Sequence, residues 1–222
     1  LDLKLQYAPL KSQILAEIEA VADSQGLILG PKTEAFEKAV AAYCGAEHAI
    51  GVSSGTDAQL VLMMALGIGP GDEVIVLEPC YDSYVPNIEL AGGKVVRVAL
   101  APGTFRPDFG AIAAALNPRT RAIIVNSPHN PSATIWRADD MARLAALLEP
   151  TDTLLISDEV YEHMVYDGVG HASASSHPSL AERSFVVSSF GKTFHVTGWK
   201  VGTVAAPAAL TAEFRKVHQF NV

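Results

Sequence analysis

Residues able to do covalent or acid–base chemistry follow apolar stretches at several points in this sequence. Asp158 and Tyr161 come directly after Leu154–Ser157, and Lys192 comes shortly after Phe185-Val186-Val187. A lysine delivered by a buried strand can lie in a dry pocket, where the loss of solvation makes its amine nucleophilic. A carboxylate at a strand end can pair with a cationic ring nitrogen, although it can equally cap a helix. A solvated loop lysine is the corresponding structural alternative for Lys192.

Three further segments carry polar or aromatic side chains at the ends of predicted strands. Ser53-Ser54-Gly55-Thr56 opens a predicted helix, and backbone N–H groups at a helix start bind anions. Tyr81 is placed to lay its ring against a ligand, and Asn130 lies in a proline-stiffened loop. An ordinary serine cap, a core tyrosine and a plain tight turn are the structural alternatives.

A rival interpretation rests on the same serine segment. Gly51–Gly55 reads GVSSG and matches the G-x-S-x-G nucleophile elbow, with Asp158 and then His171 or His177 following in the order of a hydrolase triad. The elbow would follow the first strand, however, and no HGGG-type oxyanion segment precedes it. The histidines show no metal-ligand spacing, so we expect no metal site and interpret His171 and His177 as surface residues.

Short β-branched runs alternate with helix-length segments along the chain. The predicted strands are His48–Ser53, Glu73–Leu77, Lys94–Val98, Arg121–Asn126, Thr153–Ser157, Ser184–Ser188 and Val201–Ala205. This alternation predicts an α/β fold, a mostly parallel seven-stranded sheet with helices on both faces. Helices are predicted at Thr56–Leu66, Ala138–Leu148 and Ala208–Val217, and after Pro31. Ile14, Ile18 and Val21 mark one face of a first helix that Gly26 would end.

The composition narrows the classes of function. Of 222 residues, 49% are hydrophobic and 18% are charged, which permits a sizeable core. The formal net charge of -8 argues against a nucleic-acid surface, and no apolar run is long enough to span a membrane. Cys44 and Cys80 form no C-x-x-C pair, so we expect neither zinc nor disulfides and a reducing, cytoplasmic setting.

From about residue 79 to residue 222, four segments together carry a family resemblance. They read NSPHNP at Asn126–Pro131, SDEVY at Ser157–Tyr161, SSFGKT at Ser188–Thr193 and GWKVG at Gly198–Gly202. In type, order and spacing they resemble the class I aminotransferases of fold type I, most closely the branch acting on methionine, aromatic amino acids or kynurenine. The resemblance implies the large domain of that fold, with pyridoxal 5'-phosphate (PLP) as the cofactor.

The resemblance also implies a role for each matching residue. Lys192 would hold PLP as a Schiff base and shuttle a proton, and Asp158 would pair with the pyridinium nitrogen. Asn130 and Tyr161 would hydrogen-bond the ring oxygen, and Tyr81 would stack on the ring. The phosphate group would be held by Ser189, Lys200, Gly55 and Thr56. Lys192, Asp158 and Tyr161 are thus the predicted catalytic residues.

The first part of the chain resembles a second family of the same fold type. Gly30–Glu37, Val52–Ala58 and Gly67–Val76 (GIGPGDEVIV) are similar to segments of the DegT/DnrJ/EryC1/StrS sugar aminotransferases. The seam would fall near residues 77–79, which predicts a chimera. We expect one large domain over residues 1–222, with residues 1–30 as an N-terminal helix or arm. No segment matches the small domain that supplies the carboxylate-binding arginine of class I enzymes.

These observations predict a PLP-dependent aminotransferase that moves an amino group between an amino acid and a keto acid. A cofactor-binding large domain with little turnover is an alternative of another class, favoured by the unmatched arginine. A carbon–sulfur lyase on the same scaffold is a close neighbour, and a serine hydrolase is the more distant option. The resemblance further implies a homodimer, with the site near the subunit interface.

Overall fold

The β-branched runs form one sheet in the computed structural model, which describes residues 2–220. The strands are β1 His48–Val52, β2 Glu73–Glu78, β3 Lys94–Ala99, β4 Thr120–Asn126, β5 Leu154–Asp158, β6 Ser184–Ser189 and β7 Gly202–Ala206. Each strand begins and ends within one residue of its predicted position. The predicted α/β fold is confirmed.

The sheet has the strand order β1-β7-β6-β5-β4-β2-β3. Strands β3, β2, β4, β5 and β6 pair in parallel, whereas β7 runs antiparallel to both β6 and β1. The chain passes from β2 to β3 on one side and returns to place β4 on the other side of β2. Such a reversal in an open sheet opens a crevice at the carboxyl ends of the strands, where ligands bind.

Alternating side chains of the central strands pack into two cores, one on each face of the sheet. Val74 and Val76 of β2 belong to the first core, with Leu62, Ile88 and Phe214 from helices. The intervening Ile75 and Leu77 belong to the second core, which contains Ile112, Leu144 and Leu148 from other helices. Because both faces are covered, these strands read as continuous apolar runs in the sequence.

Helices precede the first strand, connect the later strands and follow the last one. They are α1 Leu3–Tyr7, α2 Lys11–Ser24, α3 Pro31–Cys44, α4 Gly55–Ala65, α5 Tyr84–Leu90, α6 Phe109–Ala115, α7 Ala138–Leu148, α8 Pro178–Ala181, α9 Phe190–Thr193 and α10 Ala208–His218. Pro31 occupies the first turn of α3 as predicted. Gly67 follows α4 with a φ of 62°, a conformation that suits glycine. Within residues 2–220, no helix is long and apolar enough to cross a membrane.

The first predicted helix differs from its prediction in two respects. Helix α2 ends at Ser24, and Gln25, not Gly26, takes the left-handed conformation with a φ of 53°. The Gln25 side chain donates to the carbonyl of Ala22 at 2.6 Å, a local bond that accompanies this ending. No residue of α2 is buried, and Ile18 on the predicted inner face is 58% exposed. The apolar face of α2 therefore lies outside the two cores.

Candidate functional site

The residues predicted from strand ends converge on one cavity of about 180 Å³ at the carboxyl edge of the sheet. Strands β1, β2, β4, β5 and β6 all end there, and β7 begins there because it runs in the opposite direction. Every predicted cofactor-binding residue lines this cavity: Gly55, Thr56, Tyr81, Asn130, Asp158, Tyr161, Ser189, Lys192 and Lys200.

Asp158, the last residue of β5, is held by donors on both carboxylate oxygens. Tyr84 Oη and Gln59 Nε2 donate to Oδ2 at 2.7 Å and 2.9 Å, and the backbone N–H of Val160 donates to Oδ1 at 3.3 Å. Oδ2 is thus occupied by two donors, whereas Oδ1 has one longer bond. Oδ1 is therefore the oxygen better able to accept a hydrogen bond from a ligand.

The charge on Asp158 depends on opposing effects. Burial raises the pKa of Asp158, while the hydrogen bonds from Tyr84, Val160 and Gln59 lower it. The Tyr84 pKa is raised well above its ordinary value, because its phenol is buried and faces the Asp158 carboxylate. Tyr84 therefore stays protonated and remains a donor.

A chain of amide contacts fixes the loop after β4 against the end of β5. Asn126 Nδ2 donates to the Asp158 carbonyl at 2.9 Å, and Asn126 Oδ1 accepts the N–H of Asn130 at 2.7 Å. Asn130 Nδ2 then lies 3.4 Å from Tyr161 Oη. Burial is the main cause that raises the pKa of Tyr161. The predicted pair Asn130 and Tyr161 is thus brought together at the cavity wall.

Lys192 lies in the short helix α9, immediately beyond β6. The turn is tight: Gly191 is buried, and a Cβ added there would lie 2.8 Å from Thr197 Cα. Of the two alternatives for Lys192, a dry pocket and a solvated loop position, the structure agrees with the second, because Lys192 is exposed. The reason is that the adjoining segment lies at the surface, where Phe194 and Trp199 are 51% and 53% exposed.

The start of α4 lies at another wall of the cavity. Gly55 and Thr56 form its first turn, so their backbone N–H groups have no acceptor within the helix. The hydroxyls of Ser53 and Ser54 both contact the Asp57 carboxylate. The segment therefore combines anion-binding N–H groups with one neighbouring negative charge.

Several cavity residues were missed by sequence reasoning. Gln59, Tyr84, Asn126 and Thr197 line the cavity beside the predicted set. Gln59 is a lone polar residue on the apolar, buried face of α4, and that contrast was an available signal. Tyr84 is nearly as deeply buried, and its ring lies edge-on to Tyr81 with centroids 5.7 Å apart.

The hydrolase triad is not assembled. Ser53 contacts Asp57, whereas His171 Nε2 lies 2.7 Å from Glu159 Oε2 and His177 contacts Ser179. The surface interpretation of His171 is also wrong, since its side chain is only 13% exposed. It is buried because its ring supplies a partner to the fully buried Glu159 carboxylate. Glu159, Glu162 and His171 place potential metal-ligand atoms within 4.8 Å of one another.

A sheet with this reversal, and a cavity at its carboxyl edge lined by Lys192 and Asp158, define an open α/β scaffold with a candidate ligand site. The chain belongs to the class I and II aminotransferase family, whose model matches residues 2–222. Members of this family use pyridoxal 5'-phosphate, which confirms the cofactor expectation at the level of the family.

Curated and solved relatives agree with this assignment. A methionine aminotransferase from Escherichia coli is 45% identical over 215 residues, which cover 97% of this chain and 53% of the relative. Human kynurenine–oxoglutarate transaminase 1 is 39% identical over 166 residues, covering 70% of this chain and 39% of the relative. The solved E. coli methionine aminotransferase YbdL superposes with a TM-score of 0.76 at 50% identity, covering 78% of this chain and 46% of that one. The chain thus spans about half the length of these relatives.

Proposed function

We propose that this chain binds PLP in the cavity at the carboxyl edge of the sheet and serves an aminotransferase reaction between an amino acid and a keto acid. One observation carries the proposal: an amine, a carboxylate, a phenol, an amide and an anion-binding helix start all line the same cavity. These groups fit the parts of PLP, which has an aldehyde, a pyridine nitrogen, a ring hydroxyl and a phosphate. When bound, the cofactor supplies an electron-withdrawing ring that stabilises negative charge on a substrate carbon.

Lys192 is proposed as the covalent anchor. Its position just after β6, in the cavity that also contains Asp158 from the end of the neighbouring β5, supports this role. The Nζ atom would bind the cofactor as a Schiff base and, once displaced by an amino substrate, would move the α-proton. The clash that a Cβ at Gly191 would create shows how closely the turn before Lys192 is packed.

Asp158 is proposed to accept the pyridinium N–H at Oδ1. The donors at Oδ2 favour the ionised carboxylate, which is the form that can pair with a cation. Tyr161 and Asn130 would hydrogen-bond the ring oxygen from the adjacent wall, and Tyr81 would pack against the ring. All four of these residues line the cavity, which supports the proposed roles.

The phosphate is proposed to lie between α4 and the β6–β7 connection. Gly55 and Thr56 offer backbone N–H groups, Ser189 offers a hydroxyl, and Lys200 offers a positive charge. Lys200 has a φ of 57°, and its N–H is 3.4 Å from the carbonyl of Thr197, which closes the turn that carries it. Asp57 opposes this arrangement electrostatically.

The substrate side is proposed from the relatives. Methionine and kynurenine stand in the names of the similar enzymes, so we propose an amino acid with a methionine-like or aromatic side chain. Carbon–sulfur lyase chemistry and a domain with little turnover are distinguished from transamination by product analysis. Keto acid formed in equal amount to aminated cofactor supports transamination, whereas a released thiol supports the lyase.

The binding proposal is tested by an absorption spectrum of the chain with PLP, followed by borohydride reduction and peptide mapping. We expect a Schiff-base band and a reduced adduct on Lys192, which Lys192→Ala abolishes. Lys38→Ala is the matched control, because Lys38 is exposed and pairs with Glu34 on α3. Labelling spread over surface lysines, or no band at all, would remove the basis of the site assignments.

A homodimer is proposed as the assembled form. Large apolar side chains are exposed beside the cavity and along the first two helices, among them Phe194, Trp199, Leu5 and Ile18. Gln6 Nε2 donates to the Phe194 carbonyl at 2.6 Å, so the N-terminal arm contacts the segment beside Lys192. Sedimentation of the chain tests the dimer. The cytoplasmic setting stays a prediction, supported by the free thiols of Cys44 and Cys80.

We also propose that residues 1–222 form one large domain with residues 1–30 as its arm. The single sheet, which runs from β1 to β7 across both parts of the chain, supports one domain. The chimera and the sugar-aminotransferase resemblance of the first part remain predictions. The class I and II family model runs through the proposed seam at residues 77–79 without a break.

A further inference from the structure

Behind the end of β5, a second set of contacts surrounds Glu159, the residue after Asp158. The Glu159 carboxylate is fully buried and lies outside the cavity lining. Its Oε1 accepts hydrogen bonds from Ser157 Oγ at 2.7 Å and from the backbone N–H of Ala174 at 2.9 Å. Its Oε2 lies 2.7 Å from His171 Nε2. A buried carboxylate without such partners would be strongly destabilising.

The contact between His171 and Glu159 is made by one ring nitrogen. His171 Nε2 lies 2.7 Å from Glu159 Oε2 and donates to it in the tautomer that carries its proton there. Nδ1 is buried and has no hydrogen-bond partner among residues 2–220. His171 therefore contacts Glu159 through Nε2 alone, and a replacement keeps this contact only if it places an N–H near the Nε2 position.

These bonds close a loop that carries cavity residues. The backbone N–H of Glu159 donates to the Val187 carbonyl at 2.8 Å, which ties the start of the loop to β6. The bonds to His171 and Ala174 bring its far end back to the same carboxylate. Val160 and Tyr161, which lie inside this closed segment, line the cavity.

The same loop is tied to β6 at one more point. Glu162 Oε1 accepts a hydrogen bond from Ser188 Oγ at 2.6 Å, and Ser188 precedes the cavity residue Ser189. Glu162 and Glu159 also act on Cys44 across the interface with α3, since both carboxylates add to the burial that raises the pKa of that thiol. Charged and titratable groups near the Glu159–His171 pair therefore include Glu162, Cys44 and His163, whose Nε2 lies 3.7 Å from Glu162 Oε1.

We propose that Glu159 and His171 form a positioning clasp, which orients Asp158 and Tyr161 toward bound PLP without touching it. The proposal rests on the proposed cofactor function. A metal ion at Glu159, Glu162 and His171 explains the structure less well, because both Glu159 oxygens already accept hydrogen bonds from protein donors. A metal would have to displace the His171 bond.

The test compares three variants of the full chain: His171→Ala, His171→Gln and His218→Ala. His171→Ala removes the side-chain N–H, whereas the glutamine amide in His171→Gln places an N–H near the position of Nε2. His218 is the matched control, since it is buried at 6% exposure and stacks on Phe214 of α10, outside the cavity. For each variant we would measure three quantities: the thermal stability without cofactor, the PLP dissociation constant, and the pH midpoint of the absorption band of the Schiff base with Lys192.

We expect His171→Ala and His218→Ala both to lower thermal stability. Only His171→Ala should weaken PLP binding, by about tenfold, and shift the pH midpoint of the Schiff-base absorption band. His171→Gln should recover most of the affinity and the midpoint. If His171→Ala keeps the wild-type affinity and midpoint, or changes them no more than His218→Ala does, the clasp is refuted while the proposed function stands. If the wild-type chain shows no band on Lys192, the proposed function fails and the clasp fails with it.

Discussion

The hydrogen bond from Tyr84 to Asp158 offers a sharp test of the proposed cofactor site. Tyr84→Phe removes one oxygen atom from a residue that is 2% exposed and leaves the ring and its packing in place. The lost bond is 2.7 Å long and ends on a carboxylate. Bonds of this charged kind contribute about 1.5–3 kcal/mol.

The sign of the effect follows from the ionisation of Asp158. Burial raises the pKa of Asp158 and the Tyr84 bond opposes that rise, so Tyr84→Phe raises the pKa further. Only the ionised carboxylate can pair with the pyridinium. As the pH is lowered, PLP affinity should therefore begin to fall at a higher pH in the variant than in the wild type. Below that pH, the variant should bind PLP on the order of ten- to a hundredfold more weakly than the wild type.

The assay is a PLP titration by absorbance or tryptophan quenching between mildly acidic and alkaline pH. Tyr166→Phe is the matched control, because Tyr166 is 73% exposed and lies outside the cavity lining. At alkaline pH, where Asp158 is ionised in both proteins, the two affinities should converge. If PLP affinity falls at the same acidic pH in Tyr84→Phe and in the wild type, two claims are refuted together: that Asp158 pairs with the ring nitrogen, and that the Tyr84 bond sets the pH range of this pairing.

Three further predictions follow from other contacts. Asp57→Asn removes a negative charge beside the proposed phosphate site, so PLP affinity should rise by about two- to fivefold in low salt and the gain should shrink in high salt. Gly191→Ala should reduce the yield of borohydride trapping on Lys192, because its Cβ meets Thr197 Cα at 2.8 Å, whereas Gly198→Ala, with nothing within 4 Å, should not. Hydrogen bonds from Asn117 and Lys94 lower the pKa of Glu73 to about 2. The ionised Glu73 should therefore stabilise the fold fully above its ordinary pKa of 4.5, and this stabilisation should be lost as the pH falls toward 2. In thermal melts recorded over this pH range, Glu73→Gln should show a smaller loss of stability than the wild type.

The sheet was predictable because both of its faces are buried. Val74–Leu77 and Ala122–Val125 are continuous apolar runs, and a strand covered on both sides has no reason to alternate with polar residues. The direction of β7 was not predictable in the same way. It begins after the turn at Lys200, which reverses the chain toward β6, and no run of apolar residues encodes that reversal.

The site was predictable where chemistry-bearing residues stand next to strand ends, and it was missed where they lie inside helices. Asp158, Asn130 and Lys192 stand out because they interrupt or follow apolar stretches. Gln59 lies one turn into α4 and Tyr84 begins α5, so each is read first as part of a helix. The burial of His171 depends on a partner twelve residues away, Glu159, which no local pattern relates to it.

The contacts at Asp158 bear on how the two parts of the chain work together. Gln59 lies before the proposed seam at residues 77–79 and Tyr84 lies after it, yet both donate to the same oxygen, Asp158 Oδ2. Ser83, the residue before Tyr84, also contacts Gln59, with its Oγ 3.4 Å from Gln59 Oε1. Burial raises the pKa of this carboxylate, and the hydrogen bonds from Tyr84 and Gln59 both lower it. Whatever the origin of the first part, its helix α4 supplies one of the donors on which the charge of the central carboxylate depends.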